Sequence, residues 1–190
     1  MIVLASTSPR RKEILLRYFK DFKIVEPTFN ESTYECDDPF DCARDLAYLK
    51  AESVAKDYFE DIVIGCDTVV SIDDEILGKP KNYEDAFRMI RKLSGRQHYV
   101  ISGLGVIHKA LHVKKITWTT VYFNELSDEQ IKNWLNKNTY LDKAGAYAIQ
   151  DDEFGFVKEI KGSYDNVMGL PSETLLEILA SFGYFPNKEL

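Results

Sequence analysis

The stretch QHYVISGLGVIHKALHVKKITWTTVYF, from Gln97 to Phe123, decides the fold class. It alternates polar and apolar residues and reads as two long strands joined near Lys109-Ala110. Strands joined so closely must run antiparallel. Upstream, the apolar run Ile2-Val3-Leu4-Ala5 reads as a buried strand that stops at Ser6-Thr7-Ser8-Pro9. Ser8 can cap a helix, Pro9 suits its first position, and Ile14, Leu15 and Tyr18 recur at helical spacing. Phe22 to Val25 reads as a further short strand. Ile62-Val63-Ile64 and Val69-Val70 admit either a strand pair or one bent strand, with Cys66-Asp67-Thr68 at its middle and a turn at Asp73-Asp74.

Helices fill the intervals. Asp38-Pro39 opens a long one, with Leu46, Leu49 and Val54 as its expected apolar face. Asn82 caps another that carries Phe87, Ile90 and Leu93 and stops at Gly95. Ser127 and Gln130 form a capping box ahead of Ile131, Trp134 and Leu135. Phe154 to Ile160 reads as a strand, and Pro171 to Phe182 as a final helix ended by Gly183. Strands and helices intermix, which predicts an α/β fold with a mixed sheet.

Composition narrows the function. The 190 residues hold 24 Lys and Arg against 31 Asp and Glu, so the net charge is 24 − 31 = −7. That balance opposes general binding to nucleic acid or an anionic membrane, and no basic stripe with interleaved aromatics is present. No window approaches the roughly 20 apolar residues of a membrane span, and the apolar start is too short for a signal-peptide core. Cys36, Cys42 and Cys66 form no CxxC pair and are odd in number. This predicts no disulfide framework and a reducing cytoplasm. The three Cys and three His show no zinc-ligand spacing.

Several segments could carry chemistry. In Ser6-Thr7-Ser8-Pro9-Arg10-Arg11, a hydroxyl-rich turn opens a helix. Its free N–H groups and two guanidiniums would attract a polyanion. Basic residues in a first turn oppose the helix dipole, so stability alone does not place them there; a solvated helix face is the other reading. Asp67 sits between apolar strand segments and could hold a metal or deprotonate water, although taken alone it reads as a turn carboxylate. Lys79, stiffened by Pro80, and Lys50, among small residues, each read alone as a solvated lysine. Asp142 to Gln150 is small and glycine-bearing. It reads as a segment approaching a ligand or as a tight turn with an edge strand. Gln150 at its end offers both a donor and an acceptor. His98 reads as a hydrogen-bonded strand histidine.

In their order these segments resemble the Maf family of nucleoside-triphosphate pyrophosphatases. The matching pieces are Leu4 to Arg11, Leu49-Lys50-Ala51, Asp67-Thr68-Val69-Val70 and Leu77-Gly78-Lys79-Pro80. Further matches are Leu93 to His98, Asp142 to Tyr147 and Gly169-Leu170-Pro171. Together they reach from residue 4 to about residue 180. Departures are Ala148 and Asp151, which flank Ile149-Gln150 where glycines are usual, Cys66 in place of alanine, and Leu104 in the strand pattern.

The resemblance implies a single domain over residues 1–190, an elongated mixed β-sheet with helices forming two lobes around a cleft. The fold would be similar to that of inosine-triphosphate pyrophosphatases. It implies a homodimer that splits a nucleoside triphosphate into monophosphate and pyrophosphate with a divalent metal, Mg²⁺ or Mn²⁺. It makes Asp67 the catalytic base and matches Glu31 to the family's acidic position; since hard cations prefer oxygen ligands, Glu31 and Asp67 are the expected metal-side carboxylates. Substrate would be bound by Ser6, Ser8, Arg10, Arg11, Lys50, Thr68, Lys79 and Gln150. The trio Arg10, Thr68 and Gln150 matches the dTTP- and UTP-cleaving members; the 7-methyl-GTP type carries Trp, Gln and Glu there. The alternatives are action on modified purine nucleotides such as ITP or 7-methyl-GTP, and a non-catalytic nucleotide-binding regulator of septum formation.

Overall fold

An 11-residue strand, β3 (Ile62–Ile72), runs through the middle of the computed structural model. The structure describes residues 1–137 and 139–187, the side chains of 151–153 excepted. β3 is continuous through Cys66-Asp67-Thr68, so the one-strand reading holds. It pairs antiparallel with β5 (Gln97–His108), which forms the expected hairpin with β6 (Leu111–Phe123). β1 (Ile2–Ala5) lies on the other edge of β3, parallel both to it and to β2 (Phe22–Val25). β4 (Glu75–Leu77) folds back on β3, and β7 (Val157–Lys161) pairs antiparallel with β6. The result is a mixed seven-stranded sheet of order β2-β1-β3-β5-β6-β7, with β4 beside β3.

The helices begin where the capping residues place them. Ser8 accepts from the Arg11 backbone N–H ahead of α1 (Pro9–Leu16), and Asp38 from those of Phe40 and Asp41 ahead of α2 (Pro39–Ala55). Asn82 accepts from the Asp85 N–H at α3 (Tyr83–Leu93). Before α4 (Asp128–Lys137), Ser127 and Gln130 exchange the reciprocal bonds of a capping box. Two helices close the chain, α5 (Tyr164–Met168) and α6 (Ser172–Ser181). Among the described residues no helix is long and apolar enough to cross a membrane.

Three local readings are corrected. The segment expected as a strand over Phe154–Ile160 starts as a 3-10 turn at Ile149–Phe154 and becomes strand only at Val157. Asp142–Gln150 holds no edge strand: Gly145 and Ala146 have φ of 69° and 63°, which a strand cannot contain. The buried face of α2 is not built on Leu46 and Leu49, which are half-buried, but on Ala43, Ala47, Ala51 and Val54. The reason lies in the sheet. A Cβ on Gly65 would sit 2.2 Å from the Ala47 carbonyl oxygen, and one on Gly103 would sit 2.0 Å from that of Ala43. The helix backbone therefore rests directly on bare strand, and only small residues fit between.

Two large apolar clusters share the long strands. One gathers Ile2, Leu4, Ile14, Leu15, Ile62, Ile64 and Leu179 near the start of β3. The other gathers Val70, Leu77, Ile90, Leu93, Trp134 and Phe156 near its end. Each fully buried Leu or Ile among them contributes roughly 1.5–3 kcal/mol. Pairing of β1 with β3 stops at Ala5↔Gly65, and pairing of β4 with β3 starts at Val70↔Leu77. Among the described residues, 66–69 therefore have no strand partner on that edge. Asp67 and Thr68 sit in this gap, between the two clusters.

Candidate active site

The gap opens into a cleft of about 730 Å³ lined by Ser8, Arg10, Arg11, Glu31, Lys50, Asp67, Thr68, Lys79 and Gln150. Ser6 lines an adjoining hollow together with Arg10, Arg11, Glu31, Lys50 and Lys79. All ten residues singled out from the sequence therefore converge on one place. The volume suits a nucleotide-sized ligand.

Lys50 arrives on α2 because the glycine seats let that helix lie against β3. Its Nζ donates to Asp67 Oδ1 at 2.5 Å and lies 2.9 Å from Glu31 Oε1. Lys50 and Asp67 are both buried, whereas the Glu31 side chain is 52% exposed. Burial tends to raise the Glu31 pKa. The Lys50 hydrogen bond and the charges of Lys50, Lys79 and Arg11 overcome it and hold the carboxyl below its usual range.

Arg11 is tied down on three sides. Its Nε donates to the Gly169 carbonyl at 2.9 Å, Nη1 to Ser6 Oγ at 3.2 Å and Nη2 to Thr68 Oγ1 at 3.4 Å. Thr68 Oγ1 in turn shares a 2.8 Å hydrogen bond with Ser102 Oγ, its neighbour across the sheet. Arg10 is freer, with an Asp142 carboxylate at 3.5 Å. Lys79 is exposed on the loop after β4, which is fixed by a bond from the Gly145 N–H to the Gly78 carbonyl. Gln150 is exposed in the 3-10 turn at the cleft wall.

Glu31 and Asp67 meet at a single cationic point, the Lys50 ammonium. That donor set suits a hard divalent cation, which commonly takes one or two carboxylates and completes its shell with water and phosphate oxygens. Among the described residues no group of three or more His, Cys, Asp or Glu could hold a metal alone. Ligand oxygens would have to complete the shell.

His98 is no site residue. It is buried, its Nε2 lies 2.7 Å from the Tyr147 hydroxyl, and burial pushes its pKa down to about 3.

Sequence reasoning missed several residues here. Asp142, which restrains Arg10, was legible only as the start of the small, glycine-bearing stretch Asp142–Gln150. Ser102 becomes visible only through strand register. Tyr34, whose hydroxyl donates to Asp45 at 2.8 Å at the cleft wall, carried no signal at all. Cys36 and Cys42 overturn the expectation of no disulfide: they are bonded, with Cα atoms 5.6 Å apart, leaving Cys66 free and buried. Cysteine counting failed because the pair is closed by the turn into α2, not by a repeated spacing. The flanking Asp151 lies outside the described side chains.

A mixed-sheet α/β fold with a cleft that sets four cationic side chains around a buried aspartate defines a class of proteins shaped for an anionic ligand. The chain belongs to the Maf family, matching the description "Maf-like protein" over residues 1–182. It is 46% identical over 194 residues to a dTTP/UTP pyrophosphatase of Clostridium acetobutylicum, with 96% of this chain and 98% of that protein covered. It is 44% identical over 178 residues to a dTTP/UTP pyrophosphatase of Thermococcus gammatolerans, covering 94% and 95%. Among solved structures, the Ham1 protein of Staphylococcus aureus shares the fold, with a TM-score of 0.53, 16% identity and coverage of 96% and 99%.

Proposed function

We propose that this chain is a nucleoside triphosphate pyrophosphatase that hydrolyses dTTP and UTP to the monophosphate and pyrophosphate. The observation that carries the reading is the placement of Asp67: buried in the unpaired gap of β3, joined to Lys50 and ringed by Arg10, Arg11 and Lys79. The names of the relatives point to the same substrates.

The triphosphate carries close to four negative charges, which repel a nucleophile until they are screened. Arg10, Arg11, Lys50 and Lys79 supply that screening. Phosphate oxygens compete with Asp67 for the Lys50 ammonium, so a bound triphosphate frees the carboxylate to accept a hydrogen bond from water. Asp67 then orients the attacking water and takes its proton, and the same cations hold the departing pyrophosphate. Glu31 and Asp67 would hold Mg²⁺ or Mn²⁺, which supplies further positive charge at the phosphates when bound.

Gln150 is suited to reading the base. Uracil and thymine present two carbonyl acceptors around one N–H donor. An amide meets an acceptor and the donor together, whereas a carboxylate would repel both carbonyls. A homodimeric state belongs to the same reading and rests on the family resemblance; a cytoplasmic place is proposed beside it, and the cysteine usage that predicted it loses its force with the Cys36–Cys42 bond.

The test is a turnover panel of UTP and dTTP against ITP, XTP and 7-methyl-GTP, with pyrophosphate detected in the presence of Mg²⁺ or Mn²⁺. Preference for the purines would move the substrate class, and no pyrophosphate from any nucleotide would favour a binding regulator. Asp67→Asn should lose at least about 100-fold in kcat, the low end for a general base. Retention of more than about a tenth of turnover would remove Asp67 from that role.

A further inference from the structure

Between β2 and α2 the chain crosses the cleft as a strap, residues 31–37, running antiparallel to α2. It is fastened to that helix at three rungs. Glu31 reaches Lys50 at 2.9 Å, Tyr34 donates to Asp45 at 2.8 Å, and Cys36 is bonded to Cys42. The helix positions descend as the strap positions rise, so the rungs form one ladder. Its inner surface is cleft wall: Glu31, Tyr34, Glu35, Cys36 and Asp37 all line it. Only one rung is covalent. The Glu31 rung is half-exposed to water, where ion pairs contribute little, and the Tyr34 rung is one hydrogen bond. The sulfur rung is therefore the fastening that decides whether the strap stays on the helix.

We propose that Cys36 and Cys42 form a reversible thiol–disulfide switch that sets how firmly this cleft wall holds the nucleotide. The proposal rests on reading the cleft as a nucleotide site. Cys36 is partly exposed and Cys42 is buried, so the attackable sulfur is that of Cys36. A glutathione thiolate attacks Cys36 Sγ, the S–S bond breaks, and Cys42 leaves as a thiolate and takes a proton. A second glutathione attacks the mixed disulfide, freeing the Cys36 thiol and releasing oxidised glutathione. Two electrons pass to the protein, and oxidised glutathione returns it to the disulfide by the reverse steps. In the oxidised form the strap is clamped, with Glu31 at Lys50 and Tyr34 against the wall. In the reduced form the two weak rungs remain and the strap loosens.

The experiment equilibrates the whole protein in buffers running from reduced to oxidised glutathione, then quenches with acid and alkylates in denaturant. The chain has three cysteines, so the reduced form takes three alkyl groups and the oxidised form only the one on Cys66. The expected result is interconversion within that range. Reduction should also speed amide hydrogen exchange over residues 30–38 and raise KM for UTP at least about threefold. The Cys36→Ser/Cys42→Ser variant should match the reduced protein and ignore oxidised glutathione. A pair locked in one state across all buffers overturns the switch. So does unchanged exchange, an unchanged KM in an enzyme that turns UTP over, or a double variant that still responds to oxidised glutathione. If neither form releases pyrophosphate, the proposed activity fails, while thiol counts and exchange still decide the switch.

Discussion

Gly65→Ala tests the link between fold and site. The new methyl would lie 2.2 Å from the Ala47 carbonyl oxygen, 2.6 Å from the Ala51 amide nitrogen and 2.9 Å from Ala51 Cβ. Ordinary contact begins at 3.4 Å, so the helix must lift by 3.4 − 2.2 = 1.2 Å at Ala47. Two of the three atoms are helix backbone, which cannot turn aside as a side chain could. Overpacking of this kind costs about 1–3 kcal/mol, and the rigid contact places Gly65→Ala near about 3 kcal/mol. Ala47 and Ala51 bracket Lys50, so the lift carries its ammonium away from Asp67. A misplacement of about 1 Å at a reacting group can cost about 100-fold in rate. Urea unfolding reads the first effect, and kcat/KM for UTP reads the second. Gly78→Ala is the stability control: nothing lies within 4 Å of its Cβ position, and its unfolding free energy should move by no more than about 0.5 kcal/mol. A Gly65→Ala protein with wild-type stability and wild-type kcat/KM would refute the claim that direct helix–strand contact positions Lys50.

Further outcomes follow from the site and the core. Lys50→Met leaves Glu31 and Asp67 without their shared cation. It should lower kcat/KM for UTP by about 100-fold and move the acid limb of the pH–rate profile upward, because Glu31 loses the ammonium that keeps it ionised. An acid limb at its wild-type position would separate Glu31 from Lys50. Gln150→Glu should lower kcat/KM for UTP at least about fivefold, the loss of about 1 kcal/mol of transition-state binding; an unchanged value would reject Gln150 as the reader of the base. His98 makes stability depend on pH: its folded pKa is near 3 against 6.5 in the unfolded chain. Its contribution is complete above 6.5 and declines as pH falls toward 3, because only the unfolded chain accepts the proton. The slope is about 1.4 kcal/mol per pH unit. Urea unfolding at pH 7 and 5 should therefore show about 2 kcal/mol less loss in His98→Gln than in wild type. Equal losses would place His98 in a more hydrated setting than the core it occupies.

Much of the fold was legible because its signals are local. Ser8, Asp38, Asn82 and Ser127 each satisfy amides within three residues of themselves, so the helix starts followed from side-chain chemistry alone. The hairpin of β5 and β6 was equally plain, since alternation and a short turn fix their pairing. The face of α2 was misjudged because Leu46 and Leu49 are its more hydrophobic residues, while the choice of buried face belongs to its neighbour. Gly65 and Gly103, distant in sequence, demand small partners and turn the alanines inward. Within the site, the arginine pair stood out locally by opposing the dipole of its own helix, whereas Asp67 and Lys50 were distinguishable as candidates only because they stand in a recognisable order. Tyr34 and Ser102 have no such setting, and Cys36 and Cys42 looked like two unrelated thiols.

The sequence by itself determined which segments become strand or helix and which charged groups were available, because backbone hydrogen bonding, capping and side-chain period act over a few residues. Tertiary structure decided where those groups meet. β1 stops pairing at Ala5↔Gly65 and β4 pairs no further back along β3 than Leu77↔Val70, so an unpaired stretch of β3 opens beside Asp67. α2 settles on bare glycine and carries Lys50 into that opening. Both are long-range facts of register and close approach, set by steric contact between residues far apart in the chain, and no local pattern encodes them.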